Sequence, residues 1–159
     1  MLKPDYYTLA RTRWVPAENN LLYLSDHLPQ LFHQVEWFAE GVDQFSIVLN
    51  ELRTSLDEEH PWMALSLEDR LQKLVGCGKG FSEPFRLVEC TPEEETAQLR
   101  TEPDAVSNEI HYFELVLTNG NCLSIKPYVG YRNGKARTAV SRPVTYVAMA
   151  RLMSNLAAV

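Results

Sequence analysis

Sulfur is scarce in this chain: three cysteines, Cys77, Cys90 and Cys122, stand among 159 residues. They are odd in number and far apart, and no CxxC or Cys/His pair at zinc spacing accompanies them. A disulfide framework and a zinc knuckle are thereby excluded, and the thiols suit a reducing compartment. Seven glycines and nine prolines are too few for low-complexity sequence, and no internal repeat occurs. No stretch approaches the ~20 apolar residues of a membrane-spanning helix. The nearest, VTYVAMARLMSNLAAV, is short and interrupted by Arg151. The N-terminal MLKPDYYTLARTRW has no apolar core of the signal-peptide kind. Acidic residues are missing altogether after Glu114.

What remains is the expectation of one domain over residues 1–159, cytoplasmic, with no membrane segment, metal or cofactor. The apolar content of 45% and charged content of 23% are ordinary for a globular protein. A chain of this length buries roughly two-thirds of its unfolded surface without a staple.

The strongest periodicity is Leu31, Val35, Phe38, Val42, Phe45, Leu49, Leu52, Leu56. Alternating steps of four and three keep these on one side of a helix, which predicts a long helix at about 29–58, with Pro29 in its first turn and Pro61 beyond its end. Gly41 lies inside it and leaves open one continuous helix or two. Ser66 and Asp69 form a capping-box pattern, predicting a second helix over 66–75 with Leu67, Leu71, Leu74 and Val75 buried. Phe85 to Cys90 reads as a short strand. Thr91-Pro92 followed by three glutamates reads as a short helix start.

From Glu109 the pattern changes to β. Ile110 to Leu117 faces Cys122 to Val129 across Asn119-Gly120, and Asn133-Gly134 turns the chain back into Lys135 to Val140. A three-stranded antiparallel meander over about 109–141 follows, closed by a helix at 143–157. The expected class is α+β, helices first and sheet second.

LVGCGKGF, residues 74–81, departs from a phosphate loop. Lys79 is followed by Gly80 rather than Ser or Thr, and a helix precedes the glycines instead of following them. Gly76 is expected as a left-handed helix stop. Cys77 would lie near the negative end of its helix, which disfavours a thiolate, although Lys79 is close. His33, Glu36, Glu40 and Asp43 share one helical side, but the side opposite the apolar stripe, so they read as a solvated face rather than a metal site. His111 is a weak catalytic candidate on the first long strand, and it and nearby Glu114 are candidate buried polar residues of a cleft.

Charge is the most informative feature. Residues 115–159 carry Lys126, Arg132, Lys135, Arg137, Arg142 and Arg151 with no acid, while the other 114 residues hold 9 basic and 21 acidic side chains. Arg132, Lys135 and Arg137 flank the second hairpin tip, with Tyr128 and Tyr131 leading in. The expected function is a non-enzymatic binding or regulatory protein of adaptor, inhibitor or immunity type. It docks an anionic partner through Arg132, Lys135, Arg137, Arg142, Tyr128 and Tyr131. A protein partner or self-association is favoured over nucleic acid, because the net charge of −6 opposes a polyanion at long range. Met149, Met153 and Leu156 offer a homodimer seam on the closing helix. The alternatives are a thiol-dependent enzyme using Cys77 with His60 or His111 as base, and a nucleic-acid-binding protein using the basic hairpin.

Overall fold

The computed structural model describes residues 14–26 and 32–157. Its backbone is an 11-stranded sheet with every strand pair antiparallel. The strands are β1 (Val15–Pro16), β2 (Leu22–Asp26), β3 (Phe32–Val42), β4 (Ser46–Leu56), β5 (Phe85–Thr91), β6 (Thr96–Thr101), β7 (Asp104–Val106), β8 (Glu109–Thr118), β9 (Cys122–Tyr131), β10 (Thr138–Ala139) and β11 (Arg142–Thr145). The spatial order is β1-β2-β3-β4-β9-β8-β6-β5, with β10 beside β9, β11 beside β4 and β7 beside β8. Among the described residues, two α-helices, α1 (Leu67–Gly76) and α2 (Tyr146–Ala157), supply Leu71, Leu74, Met149, Leu152, Met153 and Leu156 to the core. We call the face that packs on them the inner face.

The helices-first α+β class is therefore overturned, and residues 32–58 of the expected helix at 29–58 are not helical, the first three positions lying outside the described residues. Residues 32–56 are a hairpin of two eleven-residue strands. Asp43 closes its turn by accepting from the Phe45 and Ser46 amides at 2.8 Å each. Val35, Trp37 and Ala39 on β3 and Ile47, Leu49, Leu52 and Leu56 on β4 point into the core. The helical spacing has a physical source. The pairs Phe38↔Glu51 and Ala39↔Leu49 leave Asn50 as an extra residue, and such a bulge turns one inward step of two into a step of three. Two members of the supposed stripe, Val42 and Phe45, are exposed instead. With no helix there, the question of continuity through Gly41 disappears.

The second half also differs. β8 and β9 pair along ten residues around a three-residue loop, Asn119-Gly120-Asn121, between the partners Thr118 and Cys122. The φ angles of Asn119 and Gly120 are both positive, 54° and 73°, the backbone region that Asn and Gly tolerate best. The third strand of the meander shrinks to the two residues of β10, because the chain then leaves for the edge of β4, where β11 pairs. The closing helix consequently begins at Tyr146, not at Pro143. Its Met149, Met153 and Leu156 are buried in the protein's own core, so they form no dimer seam. α1 is capped by Ser66, whose hydroxyl accepts from the Asp69 amide. It runs on through Gly76, and the left-handed residue is Gly80 with φ 78°. The short helix expected after Thr91 is a single 3-10 turn, Pro92–Glu94, ended by left-handed Glu95.

α1 is fastened to the turns at the far end of the sheet by Arg70. Its buried guanidinium donates to the Gly120 carbonyl at 2.7 Å and to Glu95 at 3.0 Å. A methyl group on Gly120 would meet the Glu95 carboxylate at 2.5 Å and Arg70 Nη1 at 2.9 Å, so this turn needs glycine for space as well as for its φ. Among the described residues, no helix is long and apolar enough to cross a membrane.

A candidate anion-binding face

The face of the sheet turned away from the helices is built from alternate residues of the central strands. Register places Arg100 on β6 opposite Glu114 on β8, and Glu114 opposite Lys126 on β9. Arg53 on β4 faces Ser124 on β9 and Glu36 on β3. Two carboxylates lie at the bottom of this layer, with Glu51 and Glu114 side chains only 8% and 3% exposed. Such burial demands compensation. Glu114 receives Arg137 through two parallel bonds, at 2.6 and 3.2 Å, and Arg100 at 2.9 Å. Glu51 receives Arg53 and Ser124 at 2.9 Å each, with Lys126 at 3.9 Å.

The cations lie on top. Arg100, Arg137, Lys126 and Arg53 are 34%, 37%, 40% and 56% exposed. Four positive groups stand against three carboxylates, the buried Glu51 and Glu114 and the part-exposed Glu36 beside Arg53, so the layer keeps a cationic excess. The guanidinium planes are also laid over rings: Arg137 over Tyr128 at 4.1 Å, Arg53 over Phe38 at 4.9 Å and Arg100 over Tyr112 at 5.1 Å. Forks to a carboxylate and stacking on a ring both restrict rotamers, so these charges are held in place rather than waving.

The electrostatics follow. Burial pushes the Glu114 carboxyl up, but hydrogen bonds and charge from Arg137 and Arg100 outweigh it, and the group stays below the ordinary glutamate range. Glu51 is lowered likewise: burial raises it, and Arg53, Ser124 and Lys126 more than reverse this. The bond to Glu114 raises Arg137 further.

Of the residues expected at the site, Arg137 and Tyr128 lie in this layer. Arg132 and Lys135 are exposed at the adjoining hairpin tip, with Lys135 over the Tyr131 ring at 5.2 Å. Arg142 is elsewhere. It pairs in register with inward-facing Leu49, lies over Phe113 at 5.0 Å, and edges a depression of about 480 Å³ with Glu83, Glu102 and Asp104. Arg53 and Arg100 escaped sequence reading because they come from acidic stretches of the chain. Only the strand order carries them beside the C-terminal cations.

The thiol and metal candidates separate from this face. Cys77 is buried, its Sγ donates to the Leu74 carbonyl at 3.0 Å, and burial pushes its pKa up to about 12. The depression beside it is lined by Trp62, Lys73, Gly76 and Asn155 and, among the described residues, by no histidine. His60 accepts from the Trp62 amide as a cap, and His111 meets Glu109 at 3.0 Å. We expect iodoacetamide at neutral pH to alkylate Cys77 at least about a hundredfold more slowly than exposed Cys122, since the thiolate is the reacting form. Peptide mapping of the labelled protein measures the ratio, and comparable rates would contradict the burial. Glu36 accepts from the Tyr23 hydroxyl at 2.8 Å and Asp43 closes its own turn. The His33 side chain lies outside the described residues. Among those described, no group of three or more His, Cys, Asp or Glu side chains is placed to hold a metal ion.

No protein-family model matches the chain, and neither do any curated protein or solved structure.

Proposed function

We propose that this chain is a non-enzymatic binding protein of the adaptor, inhibitor or immunity type. It docks an acidic protein surface on the outer face of the sheet. Arg53, Arg100, Lys126 and Arg137 form the contact layer, and Arg132 and Lys135 extend it at the hairpin tip. One observation carries this reading: the cations are exposed and pre-set above two buried carboxylates, Glu51 and Glu114. Charges held in place lose little conformational freedom when a partner arrives, and a like-signed patch speeds encounter with an oppositely charged surface. A carboxylate-bearing protein suits the face better than nucleic acid does. Base stacking needs open aromatic faces, whereas guanidinium groups already cover Tyr128, Tyr112 and Phe38.

Fluorescent poly-glutamate serves as the probe, with binding followed by anisotropy against salt. Neutralising Arg53, Lys126, Arg132 and Lys135 to glutamine together is expected to weaken binding by roughly thirtyfold, since four exposed contacts of about 0.5 kcal/mol each sum to about 2 kcal/mol. The Arg142→Gln/Arg151→Gln control should bind like the parent. Unchanged affinity in the fourfold variant, or an equal loss in the control, refutes the proposal. Tighter binding of a single-stranded oligonucleotide than of poly-glutamate would move it to the nucleic-acid alternative.

A further inference from the structure

β5 lies at one end of the sheet, and its outer edge pairs with no strand among the described residues. Arg86, Leu87, Val88 and Glu89 along it are all exposed, and Leu87 and Val88 are large apolar side chains at 44% and 45% exposure. A bare edge of this kind is a template for pairing. Its charges are also unmatched. Arg86 faces Arg100 across the ladder, and Glu89 faces Gln98. Like charges directly opposite each other are unfavourable. Among the described residues, neither Arg86 nor Glu89 makes an ion pair.

The register shift between Leu87 and Glu89 sharpens the pattern. It sets Arg86 and Glu89, three residues apart, on the same outer face, because their partners Arg100 and Gln98 are two apart on β6. Leu87 and Val88 share the remaining position opposite Leu99. The edge therefore reads positive, apolar, apolar, negative. An antiparallel copy of the same strand is its complement: Arg86 meets Glu89 of the copy, Leu87 meets Val88, and the irregularity recurs at the same place in both strands. A regular strand from another protein would have one residue too few there.

We propose that β5 is a homodimerisation edge. Two copies pair antiparallel about a two-fold axis between Leu87 and Val88, joining both sheets and closing two Arg86–Glu89 ion pairs. The proposal is independent of the anion-binding reading. A contact of one strand per copy is at the small end of stable interfaces, so the dimer is concentration-dependent.

Sedimentation equilibrium of the full chain tests this through a charge-swap cycle. Arg86→Glu sets four acidic groups at the seam and Glu89→Arg sets four basic ones. Each is expected to weaken dimerisation at least about tenfold, because like charges across an interface are strongly unfavourable. Combining Arg86→Glu with Glu89→Arg in one chain recreates both pairs and should restore the parental constant. Circular dichroism establishes that each variant is folded, and all four positions are exposed. Hydrogen exchange on the unaltered protein supplies a second readout: the amides of residues 86–90 should be protected more in concentrated than in dilute solution. A parent protein that stays monomeric at high concentration, single variants that dimerise normally, a double variant that stays weak, or concentration-independent exchange would each overturn the assignment.

Discussion

Trp37→Ala is expected to cost about 3–5 kcal/mol of folding free energy, while Phe45→Ala is expected to stay within about 0.5 kcal/mol. The two residues differ in placement, not in type. Trp37 is wholly buried in the middle of β3, among the core residues of both helices and the inner sheet face. Truncating it removes a large apolar side chain and leaves a void that close-packed neighbours fill only in part. Phe45 is 65% exposed at the hairpin turn, and its backbone contacts do not depend on the ring. A helix over 29–58 makes the opposite demand, because Phe45 lies on its apolar stripe and Trp37 lies off it. Urea denaturation of both variants decides between them through the midpoint, with the slope as a check that cooperativity is kept. A large loss for Phe45→Ala with little for Trp37→Ala would contradict the hairpin.

Glu114→Ala is expected to destabilise by about 2–3 kcal/mol. Removing one partner of a buried ion pair costs about 3–5 kcal/mol because the other charge is stranded. Here Arg100 and Arg137 are about a third exposed, so water takes up part of that cost. Glu114→Gln keeps the shape and should lose less. The pH response has a definite sign. Glu114 and Glu51 have folded-state pKa values below their ordinary 4.5, so the unfolded chain binds more protons in acid. Their contribution is complete above about pH 4.5 and drains away as pH falls through the folded values. Thermal melts of parent and Glu114→Gln at stepped pH should show a weaker acid dependence in the variant. A parent that gains stability on acidification through this range would contradict the assigned sign.

Local chemistry was the legible part of this fold. Asn119-Gly120 marks the turn between β8 and β9, although the loop holds three residues rather than two, and Ser66 with Asp69 starts α1; neither needs distant partners. Hydrophobic spacing failed where bulges intervene. The extra residue at Asn50 converts a strand's period into something that fits a helix, and the turn at 43–45 has no glycine to announce it. Stronger weight on β-branched and aromatic residues in Val35, Trp37, Phe38, Val42, Ile47 and Val48 favours strands and was the available signal. At the site, the C-terminal charge bias did point to Arg137 and to the hairpin tip. The same bias included Arg142, which strand register sends to the opposite face. It omitted Arg53 and Arg100, because neighbours across a sheet are set by topology rather than by sequence distance.

Backbone and side-chain NMR shifts during titration with poly-glutamate test the cationic face most directly. The expected map centres on the Arg Nε–H signals of Arg53, Arg100 and Arg137 and on the amides around Lys126, and it fades with added salt. Shifts confined to the Arg142 side of the sheet or to α1 and α2, or no saturable shifts at low salt, would contradict a docking role for this surface.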